Sequence, residues 1–499
     1  MKKLFSIFLL LIFSLVAFSQ IDWQRSIGST QDERGYDAVE DAAGNLFVIA
    51  ATNGLDGDVT TNLGGYDLWM IKFNPDGDVI WQKNFGDSLN NFGYSIAELS
   101  PNKYVVCGVS QNTNAMGIFN NDGWLIAIDS SGNELWQQRY GGNDDDIFRE
   151  VVKVSNNKLA VAGFTRSTDV NIDTMRGVAD GWIAWIDTTG AIIESKTYGG
   201  SSFDEFVGIT YQNNQLLACG RTRSLDGMIT GSNGNFDSWV MLADSIGNSP
   251  VSHVYGGSAD EIANDAIFTS DGNMLIVSDC LSSNGDVTDH IMRNDIWAVK
   301  ADLSGNIIWT KSYGGSNEDF VSEVLETSTQ EYIFSNVTFS NDGMVTNAYA
   351  SIDVWLTKTN PNGDLVWEYI TGGSLDENVF SFLEVTNGFL LVGDSDSQDK
   401  DLAGASKHLI HDVWVVKYTN IDVISVDNLS TTNYKVYPNP TTEAIIIENY
   451  VGNVKVYNLA GKLLKQETIN EQLDLQELAA GKYFIELEEK ASIQIIKLD

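Results

Sequence analysis

Cysteine is scarce. Only Cys107, Cys219 and Cys280 occur in 499 residues, an odd and thin set that excludes a disulfide framework. Cys107 and Cys219 fall at the same place in repeats two apart, too distant to bond, and all three read as small buried hydrophobes. Proline is rare as well, six residues against 45 glycines and 53 aromatics (13 Trp, 18 Tyr, 22 Phe). That balance favours many short strands joined by tight glycine turns and places the chain in the all-β class. Basic residues number 30 against 68 acidic ones, a formal charge of −38. Such a chain repels phosphate backbones and anionic membrane surfaces, which excludes nucleic acid as a partner. Histidine is limited to His253, His290, His408 and His411. There is no Gly-x-Ser-x-Gly elbow, no His-Glu-x-x-His and no phosphate-binding glycine loop.

Long apolar runs are absent beyond the N-terminus. There, Lys2 and Lys3 precede an apolar stretch from Leu4 to Phe18, followed by Ala17-Phe18-Ser19. This reads as a signal peptide over 1–19, with the mature chain beginning at Gln20. The stretch falls short of the roughly 20 residues a membrane span needs, and no transmembrane span is expected elsewhere. No cysteine stands near the cleavage site, which argues against a lipid-anchored form.

What is present is a repeat. An Asp-x-Trp triplet recurs at Asp67/Trp69, Asp122/Trp124, Asp180/Trp182, Asp237/Trp239, Asp295/Trp297, Asp353/Trp355 and Asp412/Trp414, with Trp spacings of 55, 58, 57, 58, 58 and 59. A second element, ideally Tyr-Gly-Gly-Ser-x-Asp-Glu, runs in register with it. It is clearest at Tyr255 to Glu261, recognisable at Tyr140, Tyr198, Tyr313 and Thr371, and weaker from Ile27 and Phe85. Between the elements lie two strand-like runs, such as Asp37 to Glu40 and Leu46 to Ala50 around Gly44-Asn45. After Asp-x-Trp come Leu68 to Phe73, a Pro75-Asp76-Gly77 turn, and Val79 to Phe85. Each repeat therefore reads as four antiparallel strands. Seven such units with no helical period call for a seven-bladed β-propeller over 20–420. The lone run Ile21 to Ile27 is a fourth strand without its sheet, while the last repeat stops after its third, Val413 to Tyr418. The first run can complete the last sheet and remove an exposed edge; an open solenoid would want capping units, and none is visible.

Twelve of the thirteen tryptophans share this period: seven in Asp-x-Trp and five (Trp23, Trp81, Trp136, Trp309, Trp367) on the fourth strand, leaving Trp185. Periodic aromatics on strands read as packing between sheets rather than as sugar-stacking platforms. Both acidic elements belong to one face of the propeller. One carries Asp32/Glu33, Asp144 to Asp146, Asp204/Glu205, Asp260/Glu261, Glu318/Asp319 and Asp376/Glu377; the other carries Asp56-Gly57-Asp58, Asp226-Gly227, Gly285-Asp286 and Asp342-Gly343. Calcium at Asp56, Asp58, Asp226, Asp286 and Asp342 is one expectation, since carboxylates flanking glycine can converge with a carbonyl on a hard cation. The other is ordinary turn chemistry, with Asp capping its own backbone. No catalytic residue stands out. His290 in the fifth repeat and His408 and His411 in the seventh are the places for acid/base or metal chemistry if there is any.

After Tyr418 the pattern changes. Residues 421–433 read as a polar linker, and 434–499 as a compact unit whose seven runs (Tyr434 to Tyr437, Ala444 to Glu448, Asn453 to Asn458, Lys462 to Thr468, Gln472 to Leu475, Lys482 to Leu487, Ile493 to Leu498) suit a small Ig-like β-sandwich. Val436-Tyr437-Pro438-Asn439-Pro440, Val454 to Asn458 with Gly461-Lys462, Leu475 with Leu478, Gly481-Lys482-Tyr483 and Ile495-Ile496-Lys497 follow in order. In these residues the unit resembles the type A C-terminal sorting domain of the type IX secretion system. The resemblance implies that Tyr437, Pro438, Asn439, Pro440, Gly461, Gly481, Tyr483 and Lys497 carry the sorting motif. It also implies contact with the secretion machinery, export across the outer membrane of a Bacteroidetes-type bacterium, removal of the domain, and a protein either released or held at the cell surface. The repeats are similar to those of large propeller proteins of the same bacteria, which transfers a fold and no catalytic residue. The expected function is a non-enzymatic binding or adhesion module for a protein or glycan. A polysaccharide-active hydrolase or lyase on the loop face, and a structural scaffold, are the alternatives.

Overall fold

The structure is a computed structural model. It describes residues 21–419 apart from 114–116, 118, 170–171, 173, 347, 350–351 and 404–409, and, further on, 436–437, 444–458, 463–476, 478, 481–487 and 491–497. The expected signal peptide and linker lie outside the described residues. Two compact units divide between Ile421 and Asp422.

The first unit is all-β and is made of four-stranded antiparallel sheets in chain order. In the first, β2 (Glu33–Glu40), β3 (Leu46–Thr52), β4 (Asp67–Phe73) and β5 (Val79–Phe85) pair in sequence, and β1 (Ile21–Ile27) belongs elsewhere. Five further sheets repeat this meander over 91–140, 146–198, 204–255, 261–313 and 319–371. Burial grades across each sheet: β3 and β4 are buried at every position, β2 alternates, and β5 is largely open. The middle strands can be apolar throughout because a neighbouring sheet covers each face. Fully burying one Val, Leu or Phe side chain this way stabilises the fold by roughly 1.5–3 kcal/mol.

The seventh sheet takes its fourth strand from the other end of the unit. Strand β1 pairs antiparallel with Asp412–Tyr418, Ile27 opposite Val413 and Trp23 opposite Lys417. Side chains repeat the equivalence. Trp69, Trp124, Trp182, Trp239 and Trp355 each donate their indole N–H to the residue thirteen positions on, and Trp414 donates to Gln24 Oε1 at 3.1 Å across the seam. One apolar cluster joins Trp23, Ala38, Val48 and Trp69 to Leu390, Val392 and Val413, so the last sheet packs on the first as each packs on the next. Thr386 N donates to Glu40 Oε2 at 2.7 Å over the same junction.

The fourth-strand tryptophans reach the next sheet. Trp23 lies against Gly77 (φ +79°) and donates to Pro75 O at 2.9 Å; Trp136 lies against Gly190 and donates to Thr188 O at 3.0 Å. Trp185, the one outside the period, does the same work from the adjacent strand. It pairs with Glu194, where Ala127 pairs with Trp136 one sheet earlier, and it packs on Gly247 and donates to Ser245 O at 3.0 Å. In the fourth sheet the tryptophan position is Val251, and His253, two residues on, lies against Gly305 of the following sheet instead.

The second unit pairs five strands. Val436–Tyr437, Ala444–Asn458, Gly481–Leu487 and Ala491–Lys497 are neighbours in that order, and Leu463–Asp474 also pairs with Ala444–Asn458. The seven expected runs thus become five strands. The residues between Ile446 and Val451 form no reversing turn but a register shift within one long strand, where Tyr450 is buried and its hydroxyl donates to Asn453 O at 2.6 Å. Ile445, Val454, Val456, Leu473, Tyr483 and Ile485 make its core.

Candidate functional site

The acid that opens the first, inner strand of every sheet but the second, where Asn91 stands, is consumed structurally. Glu33 accepts hydrogen bonds from Ser29 N, Ser29 Oγ and Thr52 Oγ1, all at 2.7 Å. Asp204 accepts from Gly200 N and Ser224 Oγ, Glu261 from Gly257 N and Ser282 N, Asp319 from Gly315 N and Ser340 Oγ, and Glu377 from Gly373 N and Ser395 Oγ. Burial raises these carboxyls, Glu377 to about 7; the hydrogen bonds oppose that shift without cancelling it. Each acid is a clamp between the incoming loop and the second strand.

The calcium candidates sit one layer outward in four different repeats. Asp56 accepts from Thr30 N at 2.8 Å and Thr30 Oγ1 at 2.7 Å, Asp58 from Gly28 N at 3.4 Å, Asp226 from Ser201 N at 2.7 Å, Asp286 from Gly256 N at 3.2 Å and Asp342 from Ser316 N at 2.7 Å. Among the described residues no three His, Cys, Asp or Glu side chains are placed to hold one metal ion. The geometry is that of turn carboxylates capping the neighbouring loop.

A different set of residues converges at the centre. Every inner strand carries a β-bulge at the same level, marked by a register shift at Tyr36, Tyr94, Arg149, Val207, Asn264, Ser322 and Phe380; the strands of the second and third sheets carry another near their ends. A bulge re-aims the residue after it, and here that residue reaches the next sheet. Asp37 accepts from Ile96 N at 2.9 Å, Ser95 Oγ from Val151 N at 3.4 Å, Glu150 from Ile209 N at 2.6 Å, Asp265 from Val324 N at 2.9 Å and Glu323 from Phe382 N at 2.7 Å; Ser381 Oγ donates to Asp37 at 3.1 Å. Gly208 is the exception, where a Cβ would press on Cys219 Sγ. A cavity of about 530 Å³ touches all seven inner strands at this level. Burial raises Asp265 to about 6 and lifts Asp37, Glu150 and Glu323, the glutamates further still because neighbouring carboxylates repel them.

Around this cavity the repeat stops repeating. The second residue of each inner strand and its cross-strand partner are Arg34/Ala51, Phe92/Val109, Ile147/Phe164, Glu205/Arg221, Ile262/Asp279, Phe320/Val337 and Asn378/Asp394. The position just before is an acid or Asn91 in every case. On one side the lining is aromatic: Tyr94 meets Tyr36 at 5.5 Å, Tyr36 meets Phe380 at 5.5 Å, and the Arg149 guanidinium lies 5.4 Å from the Tyr94 ring; beyond the lining, Tyr66 meets Phe92 at 5.3 Å. Arg149 and Arg221 then share Glu205, at 3.0 and 2.8 Å.

Of the histidines, His411 joins this region. Its Nδ1 lies 3.0 Å from Asp32 Oδ1, and its Nε2 lies 3.9 Å from Asp394 and 3.8 Å from Asp396. The Asp32 hydrogen bond, with the other two carboxylates, raises His411 to about 8 against the opposing effect of burial; the same bond holds Asp32 down at about 2, and burial lifts Asp394 to about 6. His290 Nδ1 is 2.9 Å from Asp295, where burial lowers the imidazole and raises the carboxyl to about 7. His253 is a packing residue, and His408 lies outside the described residues.

Sequence reasoning about uniform repeats misses the central residues, because it reads what recurs. The detectable signal is the reverse: columns of the repeat whose chemistry changes from unit to unit, immediately beside columns that do not.

In the second unit the structure pairs Gly481 with Lys497, at the two ends of neighbouring strands, buries Tyr483 and places Tyr437 opposite Ile446; Pro438, Asn439, Pro440 and Gly461 lie outside the described residues. Residues 435–498 match the family described as secretion system C-terminal sorting domain. The C-terminal unit is a sorting domain of the type IX secretion system. A chain with this sorting domain is directed to export at the outer surface, and no helix among the described residues is long and apolar enough to cross a membrane. No curated protein matches the sequence. Solved structures with a similar fold include BamB from Moraxella catarrhalis (12% identity, TM-score 0.39, covering 79% of this chain and 98% of that one). Two others are Drosophila Plexin A in complex with Semaphorin 1b (11%, 0.44, 90% and 93%) and a protein of unknown function from Dyadobacter fermentans DSM 18053 (9%, 0.40, 80% and 98%). At that similarity no function is taken from them.

Proposed function

We propose that this sorting-domain protein is a seven-bladed β-propeller exported to the cell surface or medium, where it acts as a non-enzymatic binding module for a protein or glycan. The ligand seats at the central cavity and on the surrounding side chains. The observation that carries this reading is the concentration of repeat-specific chemistry at the cavity, on a scaffold whose other acidic loops are occupied by their own hydrogen bonds. Pockets of this size, with a few convergent polar groups and shifted carboxyls, are the usual place for a ligand. In the same proposal residues 1–19 are a cleaved leader, 20–420 the propeller, 421–433 a linker, and 434–499 an Ig-like sandwich read by the secretion machinery.

A second reading has a specific observation behind it. His411 and Asp394 form an imidazole–carboxyl pair near the cavity with the charge arrangement of an acid/base couple. The mature full-length protein, tested on a glycan array and in a polysaccharide-degradation screen, separates the two. Binding without product, lost in Tyr94→Ala, supports the module; product release abolished by His411→Gln overturns it in favour of a hydrolase or lyase, and silence in both favours a scaffold.

A further inference from the structure

Arginine is distributed unevenly. Five of the nine arginines lie between 149 and 223, and four of them meet on the third and fourth sheets. The Arg166 guanidinium lies 5.8 Å from the Phe164 ring and 5.9 Å from Phe203; Arg221 lies 5.4 Å from Phe203 and 4.7 Å from Phe236; Arg223 lies 4.2 Å from Phe236. Phe164 and Phe203 are 5.8 Å apart, Phe203 and Phe236 5.7 Å. Phenylalanine and guanidinium therefore alternate in a ladder of six side chains, and Arg149 continues it to the cavity through Glu205.

The charges do not balance. Among the described residues within ion-pair distance, Arg149, Arg166, Arg221 and Arg223 have two carboxylates between them, Glu205 shared by Arg149 and Arg221, and Asp145 at 3.7 Å from Arg166. Arg223 is exposed and donates to Asn235 Oδ1 and Asn235 O, both neutral. Arg166 Nε is buried with no hydrogen-bond partner among the described residues. In a chain of charge −38 this is a local cationic strip. The rings hold the guanidiniums in place; Arg221 turns its Nε and Nη2 to Glu205, whereas exposed Arg223 turns the same edge to neutral Asn235 and can exchange it for an oxyanion in bidentate contact.

We propose that the ladder binds an anionic glycan, a linear chain bearing repeated carboxylate or sulfate groups. This deepens the binding-module reading and rests on it. An acidic protein is the poorer fit, because a stable protein interface covers about 800 Å² per partner. A glycan strand needs only the strip, and charges farther than about 8 Å are screened at physiological salt. Tyr94 and Phe92, which carry the strip toward the cavity, add apolar ring faces for the sugars.

The test uses the mature full-length protein with three immobilised probes, polygalacturonate, dextran sulfate and neutral dextran, across a salt series. Retention on one or both anionic polymers, weakening with salt, and absent on neutral dextran, is expected; which polymer holds more tightly separates uronate from sulfate. Arg223→Gln and Arg166→Gln should each weaken binding about tenfold, the loss of one charge-assisted contact. Arg223→Lys, which keeps charge but loses the planar edge, should recover part of it. Arg25→Gln, on the outer edge beside Asp78, should change nothing, and circular dichroism checks that each variant folds. Equal retention on neutral dextran, indifference to both Gln substitutions, or tighter binding of an acidic protein or a single-stranded oligonucleotide overturns the proposal. A neutral glycan lost on Tyr94→Ala would remove the ladder's role and leave the binding-module reading standing.

Discussion

Substituting Asp265 by Asn should make the protein progressively more stable than the parent as pH rises. Asp265 is buried at the central cavity and accepts from Val324 N at 2.9 Å and Ala266 N at 2.7 Å. Burial raises its pKa from 3.8 to about 6. A carboxyl raised on folding supports stability fully below its unfolded pKa and loses that support as pH climbs through its folded one. Between pH 4 and pH 8 the parent therefore loses up to about 3 kcal/mol through this single group, at 1.36 kcal/mol per pKa unit. Asn does not titrate, so its own curve lacks that loss. Its amide can accept from only one of the two N–H groups, which costs about 1–3 kcal/mol at every pH. The variant should thus be weaker than the parent at pH 4 and level with it or stronger at pH 8. Urea melts of both proteins at half-unit pH steps give the difference directly. A difference that stays flat with pH, or moves against the variant as pH rises, would refute the burial argument.

Four other outcomes follow from the same structure. His411, raised to about 8 by Asp32, supports the seam fully below pH 6.5 and loses that support above pH 8; His411→Gln should remove about 1 kcal/mol at pH 6, discounted for partial exposure, and nothing at pH 9.5 in chemical denaturation. Asp32, held at about 2, adds the mirror-image loss as pH falls from about 4 toward 2. Gly247→Ala, with φ +72° and a Cβ that would overlap the Trp185 ring and the Tyr198 hydroxyl, should cost about 2–4 kcal/mol; Gly272→Ala, at φ +83° with open space around it, should cost only about 1 kcal/mol, and thermal melts compare the two. Removing Ile21–Ile27 leaves Asp412–Tyr418 an unpaired edge, so light scattering should show more association of the shortened chain than of the parent. Removing residues 434–499 deletes the sorting domain, and cell fractionation should then find the protein retained inside the outer membrane.

Residues that recur were legible in the sequence, and residues that differ were not. Asp-x-Trp and the glycine-rich acidic element read directly as strands and turns because each must satisfy the same local geometry seven times. Trp185 does stand outside the period, and that it does the work of a fourth-strand tryptophan is visible only across a pair of strands, where Trp185/Glu194 replaces Ala127/Trp136. The long strand Ala444–Asn458 was read as two, because a register shift inside a strand has the same composition as a turn.

The sequence by itself determined the class, the four-stranded unit, its number and the strand that closes the last sheet, along with the C-terminal sorting domain. Those follow from short-range periodicity and from the need to leave no edge unpaired. Only the tertiary structure decided what the carboxylates do. The acids at Glu33, Glu261 and Glu377 turned inward to hold loops, whereas Asp37, Glu150, Asp265 and Glu323, unremarkable in sequence, were brought by a bulge at one level of each strand to a common cavity. Their separations along the chain are near 58 and 115 residues, so no local pattern can announce that they meet; only closing the sheets onto one another gives them a shared environment.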